Sequence, residues 1–263
     1  MPNDPNPSTS TSKPAHSHTW AFLTEDVTAE WGDLVLAGEC LATGLLDSAA
    51  FNVWSCFVSM QTGNTVYFGL GASGQPVSQP WRWAKSGVSI LSFMLGSFAF
   101  SRFMRAMGPR RRGVIIFCLA LQALLTFGAA LSATTGLVPP DAGNQLPHNW
   151  IVLFPLAMLS AQAGGQCVLS RALGYNEMPS VVLTSAYCDL VMDPQIFSSI
   201  TANAKRNRRL ASALMILAGA AIGGFMTKDT DIGPALWLGS ALKTVMAASW
   251  LFWKAEEGQV RLP

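Results

Sequence analysis

The chain has 263 residues, half of them hydrophobic and only 12% charged, with a formal net charge of +2. Water-soluble domains carry about 25% charged residues, so this chain has too little polar surface to cover a soluble globule and calls for a lipid-facing one. The small net charge gives no reason to expect nucleic acid as a partner.

Residues 1–18 are rich in Pro, Ser, Thr and Asn and have no apolar run, so no cleavable signal peptide is expected there. Such a stretch buries too little apolar surface to offset the entropy of ordering. A disordered cytoplasmic tail is expected over 1–31, a membrane domain over 32–254 and a second tail over 255–263. His16 and His18 form a weak HxH pair in that first tail. Cys40, Cys56, Cys118, Cys167 and Cys188 lie in or beside apolar segments without a CxxC pair. They read as small buried hydrophobes rather than disulfides or metal ligands.

A helix needs about 20 mostly apolar residues to cross a hydrocarbon core of about 30 Å. Six segments approach that length: 34–57, 86–104, 113–133, 151–171, 210–227 and 234–253. The expected fold is therefore an all-α membrane protein of six transmembrane helices. Trp31, Trp81, Trp83, Trp150, Trp250 and Trp253 fall near segment ends, where indole rings favour the headgroup layer. The link between the second and third segments holds Arg105, Arg110, Arg111 and Arg112, and that between the fourth and fifth holds Lys205, Arg206, Arg208 and Arg209. The positive-inside bias places these links, and with them both termini, in the cytoplasm. Arg82 and Lys85 in the first link count against that scheme.

Two links exceed a plain turn, 59–85 and 173–209, and each contains an apolar stretch with Thr and small neighbours. Each can dip into the membrane where protein or water satisfies its backbone. Each also follows the first helix of a three-helix half, and two such halves insert with opposite orientation. Inverted repeats of this kind are common in secondary transporters.

The first segment carries Glu39, Thr43 and Asp47 at i, i+4 and i+8, along one broad face. Each acid costs about 2.5–3.5 kcal/mol at the centre of a span, while each Leu, Ile, Val or Phe returns about 0.3–0.6. The acids are then either protonated or turned to a polar interior, and intramembrane acids are functional candidates by default. Lys243, midway along the sixth segment, needs a partner, with Asp47 or Glu39 the obvious one. Gln61, Thr62, Gly63 and Asn64 combine donors, acceptors and a permissive glycine, and are expected to break a helix and expose backbone to a ligand or ion. Gln162 and Gln166 sit one turn apart beside Gly164 and Gly165 and suit interhelical hydrogen bonds, with a pore lining as the alternative. Gly219 and Gly223 at GxxxG spacing suit internal packing, with a homodimer as the alternative. The three histidines fall outside the segments, and no P-loop, HExxH or GxSxG pattern occurs. No enzymatic role and no cofactor are expected.

The run Gly44-Leu45-Leu46-Asp47, followed by Phe57 and by Thr62-Gly63-Asn64, resembles the YoaK-like integral membrane family, a group defined as a domain of unknown function. The resemblance covers 33–253 and implies about six helices. It points at Asp47, Thr62, Gly63 and Asn64. In the second half the family shows a Gln-Asn pair, where this chain has Gln166-Cys167. It then shows Thr-Gly and an Asp, where this chain has Thr184-Ser185 and Asp189. The expected function is a small secondary transporter or permease for an unknown solute or ion in the bilayer, with Asp47, Thr62, Gly63, Asn64, Glu39, Gln166, Asp189 and Lys243 as candidate binding residues. The rival reading is a non-transporting scaffold in which Asp47 and Lys243 hold helices together.

Overall fold

A computed structural model describes residues 16–229 and 231–256. Among them nine α-helices follow in order: α1 His16–Thr24, α2 Gly32–Trp54, α3 Gln61–Leu70, α4 Arg82–Met107, α5 Arg112–Thr134, α6 Leu153–Ala172, α7 Thr184–Val191, α8 Ala204–Met226 and α9 Gly233–Ser249. The six long ones match the six expected segments. Five of them, α2, α4, α5, α8 and α9, are long and apolar enough to cross a membrane. The chain is a multi-pass membrane protein. Helix α6 is not among the five, because Gln162, Gln166 and two glycines dilute its apolar residues. Leu91, Leu95 and Phe98 on α4, and Leu217 and Phe225 on α8, stand exposed, as a lipid-facing surface requires.

Helix ends follow local chemistry. Ser55 takes a left-handed φ of 56° and donates its N–H to Phe51, closing α2. Gly108, at φ 95°, closes α4, and Pro234 at the head of α9 removes an N–H that would be orphaned anyway.

Helix α2 packs most closely along α8, α4 along α6 and α5 along α9, with further contacts between α5 and α6 and between α2 and α9. Glycine makes the first two crossings possible. A Cβ on Gly44 would collide with the Ile216 carbonyl of α8, and one on Gly219 with the Leu41 carbonyl of α2. Gly96 of α4 and Gly164 of α6 stand in the same relation to each other's helix. The Gly219/Gly223 pair is thus spent on internal packing against α2. Gly44→Ala and Gly219→Ala are each expected to destabilise by about 1–3 kcal/mol through overpacking. Gly224→Ala, whose Cβ meets nothing within 4 Å, should be neutral or better. Melting curves in detergent check the series, and equal losses at Gly219 and Gly224 would refute this account of the crossing.

Two apolar clusters fill the interior. One surrounds the end of α2, with Leu45, Leu46, Trp54, Val58, Leu156 and Ile232. The other surrounds its start, with Val35, Leu36, Met104, Ile115, Leu169 and Trp250. Between them, along α2, lie Glu39 and Thr43.

The N-terminal segment departs from expectation. Residues 1–15 lie outside the described part, as do the side chains of His16 and His18. Residues 16–31 are not a disordered tail: α1 forms, and the segment after it docks. Val27 is buried, and isolated antiparallel bridges join Asp26 to Arg111 and Val27 to Ala255. Arg112 ties the assembly. Its guanidinium pairs with Glu25 and donates to the carbonyls of Trp250, at 2.9 Å, and Trp253, at 2.6 Å. One valine and one acid give the segment an anchor that its polar composition hides. Of the C-terminal tail, Ala255 and Glu256 dock here, and 257–263 lie outside the described part. Cys188 is exposed, whereas Cys40, Cys56, Cys118 and Cys167 are buried as expected.

Candidate functional site

Helix α2 stops at Trp54, and residues 55–60 run without helical structure before α3 begins. The break therefore precedes Thr62, Gly63 and Asn64, which form the first turn of α3 instead of interrupting a helix. Side chains hold this break from both sides. Asp47 Oδ1 accepts the N–H of Val58 at 2.7 Å and that of Ser59 at 2.9 Å, and Oδ2 accepts the Ser59 hydroxyl. Asn64 takes Phe57 as a strand partner would: its amide donates to the Phe57 carbonyl at 2.7 Å, and its oxygen accepts the Phe57 N–H at 3.2 Å. The Asn64 amide also reaches Ser89 of α4 at 3.0 Å, and Ser89 meets Ser160 of α6 at 2.8 Å. Gly63 is needed because a Cβ would lie 2.8 Å from the Phe57 ring. Asp47 and Asn64 thus spend their side chains on the break and the residues beside it.

The second link is braced differently. Arg206 of α8 donates to the carbonyls of Ile196, at 2.8 Å, and Ser198, at 2.6 Å. Asp193 accepts the Gln195 N–H at 2.9 Å and the Asn203 amide at 3.0 Å. The Gln195 N–H first, and the Asn203 amide second, hold the Asp193 carboxyl below its usual range. Asp189 on α7 is largely exposed and lies 3.9 Å from Arg209.

The two links meet at a cavity of about 390 Å³. From the first link it is lined by Phe57, Ser59, Met60, Gln61, Thr62 and Gly63. Phe93 of α4 closes one side, and Val181, Val182, Leu183 and Thr184 come from the second link. Thr62 and Thr184 supply hydroxyls in a mostly apolar wall. Helices α3 and α7 both begin here, and neither has a side-chain cap. Apart from the Gln61 N–H, which donates to the Ser59 carbonyl at 3.0 Å, their first N–H groups have no side-chain acceptor and stand at the positive ends of the helix dipoles.

A separate polar cluster sits in the core. Lys243 of α9 donates to Glu39 Oε2 at 2.5 Å, to Gln122 Oε1 of α5 at 3.0 Å and to Gln166 Oε1 of α6 at 3.0 Å. Gln166 in turn donates to Thr43 Oγ1 at 2.7 Å and to the Glu39 carbonyl at 3.1 Å. All five residues are buried. Lys243 pairs with Glu39 and not with Asp47, and Glu39 is fully enclosed. Four helices converge on one ammonium group.

The candidate residues thus divide. Thr62 and Gly63 line the cavity, Asp47 and Asn64 hold its wall from behind, Glu39, Gln166 and Lys243 form the core cluster, and Asp189 stands apart on the surface. Sequence reasoning passed over Ser59, Ser89 and Gln122. Gln122 left one signal, a lone amide in the most apolar of the five spans. Among the described residues no group of three or more His, Cys, Asp or Glu could hold a metal ion.

No curated protein and no solved structure matches the chain. One family model does, over residues 35–249, described as a protein of unknown function, DUF1275. That match spans α2 to the end of α9, the whole bundle that carries both sites. The chain belongs to the DUF1275 family of proteins of unknown function, with which the resemblance to YoaK-like membrane proteins agrees.

Proposed function

We propose that this protein is a small secondary transporter, with its solute path through the cavity between the two broken links. The observation that carries the reading is that the uncapped starts of α3 and α7 open on that one cavity. Paired half-helix N-termini suit a solute with an anionic or hydrogen-bond-accepting end, and Phe57, Met60, Phe93 and Leu183 suit an apolar body. On this reading α6 is the sixth span, and α2–α5 and α6–α9 form inverted halves. The packing supports it: exchanging the halves turns α2·α8 into α6·α4, α5·α6 into α9·α2 and α3·α4 into α7·α8, and leaves α5·α9 unchanged, and all of these pairs are in contact. The basic ends of α4, α5 and α8 then face the cytoplasm with both termini.

A scaffold is the second reading. The closed Glu39–Lys243 pair favours it, because it joins four helices and leaves no free charge.

Thiol accessibility separates the two. With Cys188→Ser as background, Thr62→Cys and Thr184→Cys are introduced singly into the full chain. A membrane-impermeant thiol reagent is applied from each face in turn. The transporter predicts labelling of both positions from both faces. Labelling from one face alone would leave the scaffold reading standing.

A further inference from the structure

We propose that a small oxyanion, a phosphate or carboxylate group, binds at the head of α4 between Arg82 and Lys85. A cavity of about 170 Å³ opens there, walled by these two cations, Gln79, Trp81, Gly143 and Asn144, with no acid in its lining. Lys85 lies inside the protein, where its ammonium donates to the carbonyls of Trp54 and Gly143, each at 2.8 Å. Those bonds hold the last turn of α2 and the third link, and they leave the positive charge uncompensated. The Arg82 guanidinium lies over the Tyr67 ring, 3.3 Å from its centroid, and 5.0 Å from the centroid of the Phe51 ring. Its Nε and Nη2 are buried and have no hydrogen-bond partner.

Among the described residues neither cation pairs with a carboxylate. Two like charges held together with donors unspent are costly, and an oxyanion resolves both costs. The guanidinium edge, with Nε and Nη2 side by side, matches two oxygens of one phosphate or carboxylate. The uncapped N-terminus of α4 adds a favourable dipole. The volume, nearly six times the roughly 30 Å³ of a liquid water, has room for one such group.

Trp81, Trp83 and Trp150 cluster at the same level, which marks the headgroup layer. The group can therefore come from a free anion or from the headgroup of an anionic lipid. The site stands whether or not the cavity at the two breaks carries a solute.

The test uses the full chain, first in neutral detergent with inorganic phosphate against chloride at matched ionic strength. It is then repeated in phosphatidylcholine nanodiscs with and without phosphatidylglycerol. A saturable rise in melting temperature with phosphate, lost in Arg82→Gln, is expected for a free anion. A rise only with phosphatidylglycerol, again lost in Arg82→Gln, assigns the group to lipid. Both outcomes support the site. No rise from either probe, or a rise that Arg82→Gln keeps, overturns it. Should Arg82→Gln fail to fold, Asn144→Asp at an exposed position decides. It places a carboxylate beside Arg82, so it should melt higher without phosphate and gain nothing from it, and an undiminished response would overturn the proposal.

Discussion

Lys243→Met is expected to destabilise the protein by about 3–5 kcal/mol, the cost of leaving one member of a buried ion pair without its partner. Glu39 is wholly enclosed, and its Oε2 has the Lys243 ammonium as partner at 2.5 Å. Removing the ammonium leaves a buried carboxylate without its counter-charge. It also strips Gln122 and Gln166 of the donor that their side-chain oxygens share. Glu39→Gln in the same chain should recover most of the loss, because the new amide carries no charge and can donate to one of those oxygens. A double-mutant cycle read by melting in detergent measures the coupling. If Lys243→Met melts like the parent, the cluster is open to water and the pair is not a tie between helices. The pair does not earn its place through stability alone, since apolar replacements of buried pairs are often neutral or better. Its consequence is register: one ammonium reads α2, α5, α6 and α9 together, so a relative shift of any of them costs hydrogen bonds at one point.

The spans were legible because apolar length is a property of each segment alone. The partner of Lys243 was not. Glu39 and Asp47 lie eight residues apart on one face of α2, about 12 Å along the helix axis, and only the register of α9 against α2 chooses between them. The break was misplaced for a related reason. Thr62, Gly63 and Asn64 are weak helix formers, so they read as the interruption, yet Asn64 keeps its helical backbone and uses its side chain to satisfy Phe57 across the gap. Lys85 read as a loop charge that opposed the expected orientation, whereas it is buried on the end of α2 and is not a free charge of the loop. In α6 the two glutamines lower apolarity, and the reason for Gln166 becomes visible only once Thr43 and Lys243 are beside it. In each case the missing information was a contact between segments far apart in the chain.

Asp47→Ala is the second change with a large expected effect, and Asp47→Asn is its control. The alanine leaves the N–H groups of Val58 and Ser59 and the Ser59 hydroxyl without their acceptor. Each buried donor left unpaired costs about 1–3 kcal/mol, so the variant should lose several kcal/mol and the order of residues 55–60 with it. Asparagine keeps Oδ1 for both N–H groups, and its amide can donate to the Ser59 oxygen, since a hydroxyl serves in either direction. It also relieves the cost of burying a charge. Asp47→Asn should therefore melt close to the parent. The same pair of variants, placed in the Thr62→Cys background, asks what Asp47 does for the cavity. If it positions the wall, Asn preserves two-sided labelling and Ala abolishes it. If it must gain and lose a proton, Asn melts normally but labels from one face only. The geometry favours the first outcome, because both carboxylate oxygens are already occupied by the chain itself.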